Sequence, residues 1–233
     1  MRMHLFTSTL VLILVGGAMV IALFDLYGKS DQAFAQDKEA KTETIKLPEP
    51  KHDGEVSVEK ALSERRSVRA YKDEPLTLTD VSQILWAAQG ITDPKTGHRT
   101  APSAMALYLL NVYLIAGNVT DLPMGMYKYQ PQGHELVKVA PGDMKAKLFE
   151  AAGQAPIKAA PAALVITGQS ERAKSPSWMY LEAGHAAQNV YLQAVSLKIG
   201  TVVMGGFKDE SVKTALNLPK GEQTIYIMPL GKK

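Results

Sequence analysis

Twenty consecutive residues close to the N-terminus, Leu5 to Phe24, carry no charge, and their only polar side chains are Thr7, Ser8 and Thr9. As a helix, a run of that length crosses the hydrocarbon core of a bilayer. It is apolar all round, so it lacks the one-sided stripe with which an ordinary helix packs onto a soluble core. Arg2 and His4 precede it, and Ala33-Phe34-Ala35 ahead of Gln36 has the small-x-small form of a cleavage site. Residues 1–35 are therefore read as a signal peptide cleaved near Ala35 or as an N-terminal membrane anchor. No twin-arginine pair precedes the run, so export ahead of folding is expected. The protein is expected beyond the cytoplasm, tethered by its N-terminus or released into the periplasm or medium.

What remains must fold without that segment. From Gln36 to Val56 six acidic residues and four lysines accompany Pro48 and Pro50, with few large apolar side chains. Such a composition reads as a tether, with Leu47-Pro48 placed to dock on the domain. The domain proper is expected over 57–233. At 46% hydrophobic and 21% charged residues, the chain has enough apolar material for a core. The net charge of +3 is small and its signs alternate, which speaks against a nucleic-acid face. The absence of cysteine excludes disulfides, thiol nucleophiles and iron–sulfur clusters.

Helix and strand periods mix through the domain. A short helix is expected after Ser57, with Val58, Leu62 and Arg65 at helical spacing. Thr77 and Asp80 form a capping-box spacing ahead of Val81, Ile84, Leu85 and Ala88, and Gly90 supplies the stop. Strands are expected at Val112–Ile115, Gly125–Tyr129 and Glu135–Val139, the last two joined across Pro131-Gln132-Gly133. Ala162–Thr167 reads as a buried strand. Ser175-Pro176 opens the longest helix, running to a stop at Gly200. A strand at Thr201–Met204, a helix after Asp209 and a strand at Thr224–Met228 complete an α+β domain with about five strands.

Phosphate loops of the GxxxxGK[ST] type and GxGxxG fingerprints are absent. Gly168-Gln169-Ser170-Glu171-Arg172 lacks the closing glycine of a nucleophile elbow. The five histidines are scattered without metal-ligand spacing, so no metal site is assigned. Three other segments carry chemistry. Arg65-Arg66-Ser67-Val68-Arg69 gathers three guanidinium groups and a hydroxyl that suit a dianion. Ala101-Pro102-Ser103-Ala104 is built of small residues that let backbone approach a planar ligand. Val203-Met204-Gly205-Gly206 carries paired glycines that permit close contact.

In the order RRSVRAY, RTAPSAMALYLLNVYLI, GMYKYQPQGHELVKV, LEAGHAAQNVYLQAVSLKIGTVVMGGF and YIMPLGKK, these segments resemble the nitroreductase superfamily over residues 47–233. The PSAxALY block, the YxYxPxxHxL hairpin and the EAGHAAQN helix resemble its branch of dehydrogenases from thiazole- and oxazole-modified peptide biosynthesis. The resemblance implies a nitroreductase-like α+β fold, with a mainly antiparallel central sheet of about five strands flanked by helices. It also implies a homodimer with FMN held at the subunit interface. By motif position, Arg65, Arg66, Ser67 and Arg69 face the flavin phosphate, ribityl chain or pyrimidine edge, and Lys232 stands where the family often has a basic residue for the phosphate. Pro102, Ser103 and Ala104 line the ring from the other subunit, and Val203, Met204, Gly205 and Gly206 present backbone near its reactive nitrogen. No acid–base residue is assigned; Glu182 and His185, one turn apart, read as a buried pair behind the flavin wall.

Three departures stand out. Met105 occupies a position where relatives usually have glycine. The Lys-Tyr pair of azoline-oxidising members is not evident between Gly168 and Ala183. The chain ends at Lys233, so dimerisation is expected to rest on helix packing rather than on a long C-terminal arm. The function implied is an exported FMN-dependent oxidoreductase working in two steps, from a small-molecule donor through FMN to a quinone- or nitroaromatic-like acceptor. A dehydrogenase acting on a modified peptide and a flavin-binding module without turnover are the alternatives. With the domain held near a membrane, quinol is expected as the donor in place of soluble nicotinamide.

Overall fold

The computed structural model describes residues 43–233. The expected membrane segment and cleavage site lie outside the described residues, among which no helix is long and apolar enough to cross a membrane.

The centre of the fold is built from strands whose alternate residues are apolar on both faces. β7 (Ala162–Gln169) pairs antiparallel with β4 (Leu110–Ala116) on one side and β9 (Glu222–Lys232) on the other, aligning Leu114, Leu164 and Met228. Side chains alternate across a strand, so Val112, Leu114, Leu164 and Ile166 enter one core while Tyr113, Ile115, Ala163 and Val165 enter a second. The first core is closed by α2 (Leu78–Gln89) and α5 (Pro176–Ser196), through Ile84, Leu85, Met179, Ala183 and Val190. The second is closed by α3 (Met144–Ala152), α4 (Ala155–Ala159) and α6 (Asp209–Leu216), through Leu148, Ile157, Val212 and Leu216. Burial on both faces explains why Ala162–Ile166 reads as an unbroken apolar run. The outcome is a three-layer α+β domain with an antiparallel central sheet.

The sheet has seven strands where about five were expected, in the order β1-β6-β5-β4-β7-β9-β8. Besides the three central strands it contains β1 (Thr44–Lys46), β5 (Gly125–Gln130), β6 (Glu135–Pro141) and β8 (Ile199–Thr201). A separate two-stranded ribbon, β2 (Ile91–Asp93) with β3 (His98–Arg99), follows α2. The added strand β1 falls within the stretch read as a tether. Its Thr44, Ile45 and Lys46 pair with Val137, Leu136 and Glu135, and Leu47 is only 2% exposed. Residues 44–47 are therefore packed with the domain, ahead of the expected start at 57. Pro48 O lies 2.5 Å from Ser82 Oγ, which in turn sits 2.7 Å from His134 Nε2, so backbone and side chains tie this lead-in to α2.

A second difference concerns the long helix. It ends at Ser196, four residues before the expected stop, because Lys198 takes a left-handed conformation with φ 56° and turns the chain into β8. Gly200 lies inside that strand, where an added Cβ would stand 2.6 Å from Val68 Cγ1. The glycine is there to let the segment after α1 (Val58–Glu64) lie against the sheet.

Candidate functional site

That segment positions the arginine cluster. Ser57 caps α1 by accepting from Lys60 N, and the helix closes with Arg65 N donating to Ala61 O. The chain then runs extended: Ser67 bridges Thr201 in parallel, Val68 N donates to Thr201 O at 2.9 Å, and Lys72 N donates to Lys232 O at 2.9 Å. With Val68 packed toward Gly200, the two-residue period puts Arg65, Ser67 and Arg69 on the opposite side. Ser67 and Arg69 are exposed.

Tyr191, on α5, joins two of the three expected segments. Its hydroxyl accepts from Val203 N at 2.8 Å and lies 3.1 Å from Ser67 Oγ, and the Arg65 guanidinium sits 5.0 Å over its ring. A guanidinium over a ring keeps its donor edges available to an anion. Val203–Gly206 is thereby held beside the arginines. Met204 exchanges two 2.9 Å backbone bonds with Ile227, while Gly205 and Gly206 are exposed. A Cβ on Gly205 or Gly206 would meet nothing closer than 3.7 Å or 3.9 Å, so packing inside the protomer does not demand glycine at either. The missing side chains leave open space over exposed backbone, a surface that suits a flat ring.

Arg66 points elsewhere: its Nη1 donates to Ser63 O and Arg65 O, both at 2.8 Å, so it caps the end of α1. Lys232 is likewise occupied. Its ammonium donates to Asp80 Oδ2 at 2.9 Å, and Asp80 also closes the capping box of α2 with Thr77. Burial pushes the Asp80 carboxyl up, but the bonds from Lys232 and Thr77 outweigh it and hold the group below the usual carboxylate range.

The third segment lies at the other end of α5. Ser103 Oγ donates to Glu182 Oε2 at 2.6 Å and accepts from Tyr108 N at 2.8 Å, and Leu109 N donates to the same carboxylate oxygen at 3.1 Å. His185 Nδ1 is 3.2 Å from Pro102 O. Glu182 and Tyr191 are nine residues apart, about 14 Å of helix, so Pro102–Ala104 is offset along α5 from the Tyr191 node of the same protomer. Glu182 and His185 are not the buried pair expected from their spacing. Glu182 is 1% exposed whereas His185 is exposed, and each holds a different part of the 102–109 loop. Within that loop Met105, Ala106 and Tyr108 all have positive φ, of 54°, 54° and 48°, a conformation that glycine adopts without strain. Met105 is 71% exposed.

Three findings from comparison with known proteins bear on this arrangement. A model of the nitroreductase family matches residues 62–232. A relative from Methanocaldococcus jannaschii that bears the nitroreductase name is 39% identical over 199 residues, 82% of this chain and 98% of that one. Among solved structures, a Ralstonia eutropha protein of the same name shares 29% identity with a TM-score of 0.72, over 81% of this chain and 89% of that chain. Another, from Desulfovibrio desulfuricans, was solved in complex with FMN; it is 21% identical, with a TM-score of 0.58 over 76% of this chain and 86% of that chain.

Proposed function

The chain belongs to the nitroreductase family, and from that premise we propose that it is an exported, FMN-dependent oxidoreductase that works as a homodimer. The observation that carries the cofactor is the Tyr191 node, which brings Arg65, Ser67 and the backbone of Val203 to one place beside exposed glycines. Arg65 and Arg69 neutralise the phosphate, and Ser67 supplies a hydroxyl next to them. Val203 to Gly206 present main chain to the ring. FMN, when bound, supplies the two-electron redox chemistry, and donor and acceptor use the same face in turn.

Pro102, Ser103 and Ala104 serve the site across the subunit interface, which accords with their offset along α5 in a single protomer. Ser103 is held in place by Glu182, which acts as a positioning residue. The outer face of α5 suits the second copy. Tyr180 and Leu181 are 46% and 60% exposed, and an added Cβ on Gly184 would meet no atom within 4 Å. Glycine inside a helix costs roughly 0.5–1 kcal/mol relative to alanine, and nothing within the protomer makes use of its small size.

Quinol is the proposed donor and a quinone- or nitroaromatic-like compound the acceptor. Export rests on Leu5–Phe24. The deciding experiment follows bound flavin anaerobically on adding a water-soluble quinol, NADH or NADPH, and then an acceptor. Fast, saturable bleaching by quinol with recovery on the acceptor is expected. Bleaching by a nicotinamide alone would remove the donor assignment, and no turnover with any pair would remove the enzyme reading. Protease added to intact spheroplasts should digest the domain; protection equal to that of a cytosolic marker would reverse the export assignment.

A further inference from the structure

The last residue of α2, Gln89, is 1% exposed, and it spends its oxygen on Arg99 Nη1 at 2.8 Å while its Nε2 has no partner among the described residues. The Nε of Arg99 is also buried and without a partner among them. Both side chains line a cavity of about 100 Å³, together with Tyr108, Asn111, Gln169 and Arg172. The Arg99 guanidinium lies 4.5 Å over the Tyr108 ring. Arg172 is fixed by bonds from Nη1 to Gln169 Oε1 at 3.0 Å and from Nη2 to Leu107 O at 2.7 Å.

Two guanidinium groups thus share a small cavity with no acidic residue in its lining. Burial lowers the proton affinity of Arg99, the charge of Glu182 raises it, and Arg172 lowers it again, so the two arginines feel each other. Glu182 is the one carboxylate among those influences on Arg99. Glu222, close by, is taken up by Asn111, Tyr113, Thr167 and the Lys128 ammonium 3.9 Å away. A buried donor left without an acceptor is costly, and a guanidinium edge fits a carboxylate with two parallel bonds.

We propose that this cavity is a carboxylate-binding site, built to take a small organic acid between Arg99, Arg172 and the free amide of Gln89. The flat donor edge of a guanidinium matches a planar carboxylate, and a volume of about 100 Å³ admits only a few heavy atoms. Because Arg99 stacks on Tyr108 and Arg172 holds Leu107 O, an occupant fastens the end of the strained 105–108 loop that follows Ser103. The site shares no residue with the Tyr191 node and does not depend on the flavin reading.

The test titrates acetate, malonate, inorganic phosphate and chloride into the full chain, flavin-free and FMN-saturated, at constant ionic strength, by calorimetry and by the shift in Tm. Saturable binding of one acetate or malonate per chain is expected, indifferent to FMN and tighter than phosphate. Arg172→Gln should weaken it at least about tenfold, the effect of one lost charge-assisted bond. Lys147→Gln, the same charge change at a distant exposed site, should not. Gln89→Glu, which supplies a carboxylate from within, should raise the anion-free Tm and abolish acetate binding; it keeps the question answerable if Arg172→Gln fails to fold. The proposal is overturned by no saturable carboxylate binding, by preference for phosphate, by loss of binding on FMN saturation, or by acetate affinity unchanged in Arg172→Gln or Gln89→Glu.

Discussion

Met105 shares the cost of the loop around Ser103 with Ala106 and Tyr108. A non-glycine residue held at φ 54° and ψ 25° stores roughly 1–3 kcal/mol that a glycine does not. Met105→Gly should therefore leave stability unchanged or raise it by up to about 1 kcal/mol, the gain partly offset by the greater entropy of glycine in the unfolded chain. A denaturant midpoint that falls by more than that would show the methionine side chain packing against something, the second protomer being the natural place to look. The arginine cluster and the paired glycines were legible because guanidinium groups and glycines are unusual in a run. Tyr191 was not. An aromatic at a helical interval reads as core, and its role appears only once Ser67 and Val203, far apart in sequence, are folded onto it. Glu182 and His185 misled in the opposite direction. Positions three apart on a helix are about 60° apart around it, enough for the edge of the buried stripe to pass between them.

Elements closed by local chemistry could be read directly. Thr77 and Asp80 cap α2 as their spacing implies, and β5 and β6 form the expected hairpin. Elements defined by long-range pairing could not: β1 has three residues in a charged stretch, and β8 starts only because Lys198 turns left-handed before Gly200. The same pairing sets Lys232 against Asp80, linking the C-terminal strand to the start of α2. A carboxyl held below its ordinary value contributes stability that is present above its unfolded pKa, near 3.9, and lost as pH falls through the lowered folded value. Asp80→Asn should thus be destabilised relative to wild type at pH 7, with the gap closing as pH falls below about 4. Urea midpoints across that range check it, and a gap independent of pH would show that the ion pair is not the cause.

At the scale of the whole molecule, the family and the three-layer arrangement were legible from the ordered motifs, and Leu47 docks as its place beside Pro48 implies, whereas polarity alone cannot show that Thr44–Lys46 joins the sheet. The second copy is the part that most needs testing. Leu181→Arg places a charge at the middle of the exposed α5 face and should convert the protein to a monomer, because an unpaired charge in an apolar interface is strongly disfavoured. Light scattering reads the mass directly. A variant that stays dimeric would move the interface off this helix.

The central claim is that the Arg65–Ser67–Tyr191 node holds FMN, and equilibrium titration of the purified chain with FMN, followed by absorbance and flavin fluorescence, addresses it most directly. Wild type is expected to bind one FMN per chain. Arg65→Ala and Arg69→Ala should each weaken binding by about 1.5–3 kcal/mol, a loss of tenfold or more, and Tyr191→Phe by about 1 kcal/mol as Ser67 and the Val203 amide lose their common partner. A folded chain that stays colourless in excess FMN, or arginine variants that bind as tightly as wild type, would contradict the account.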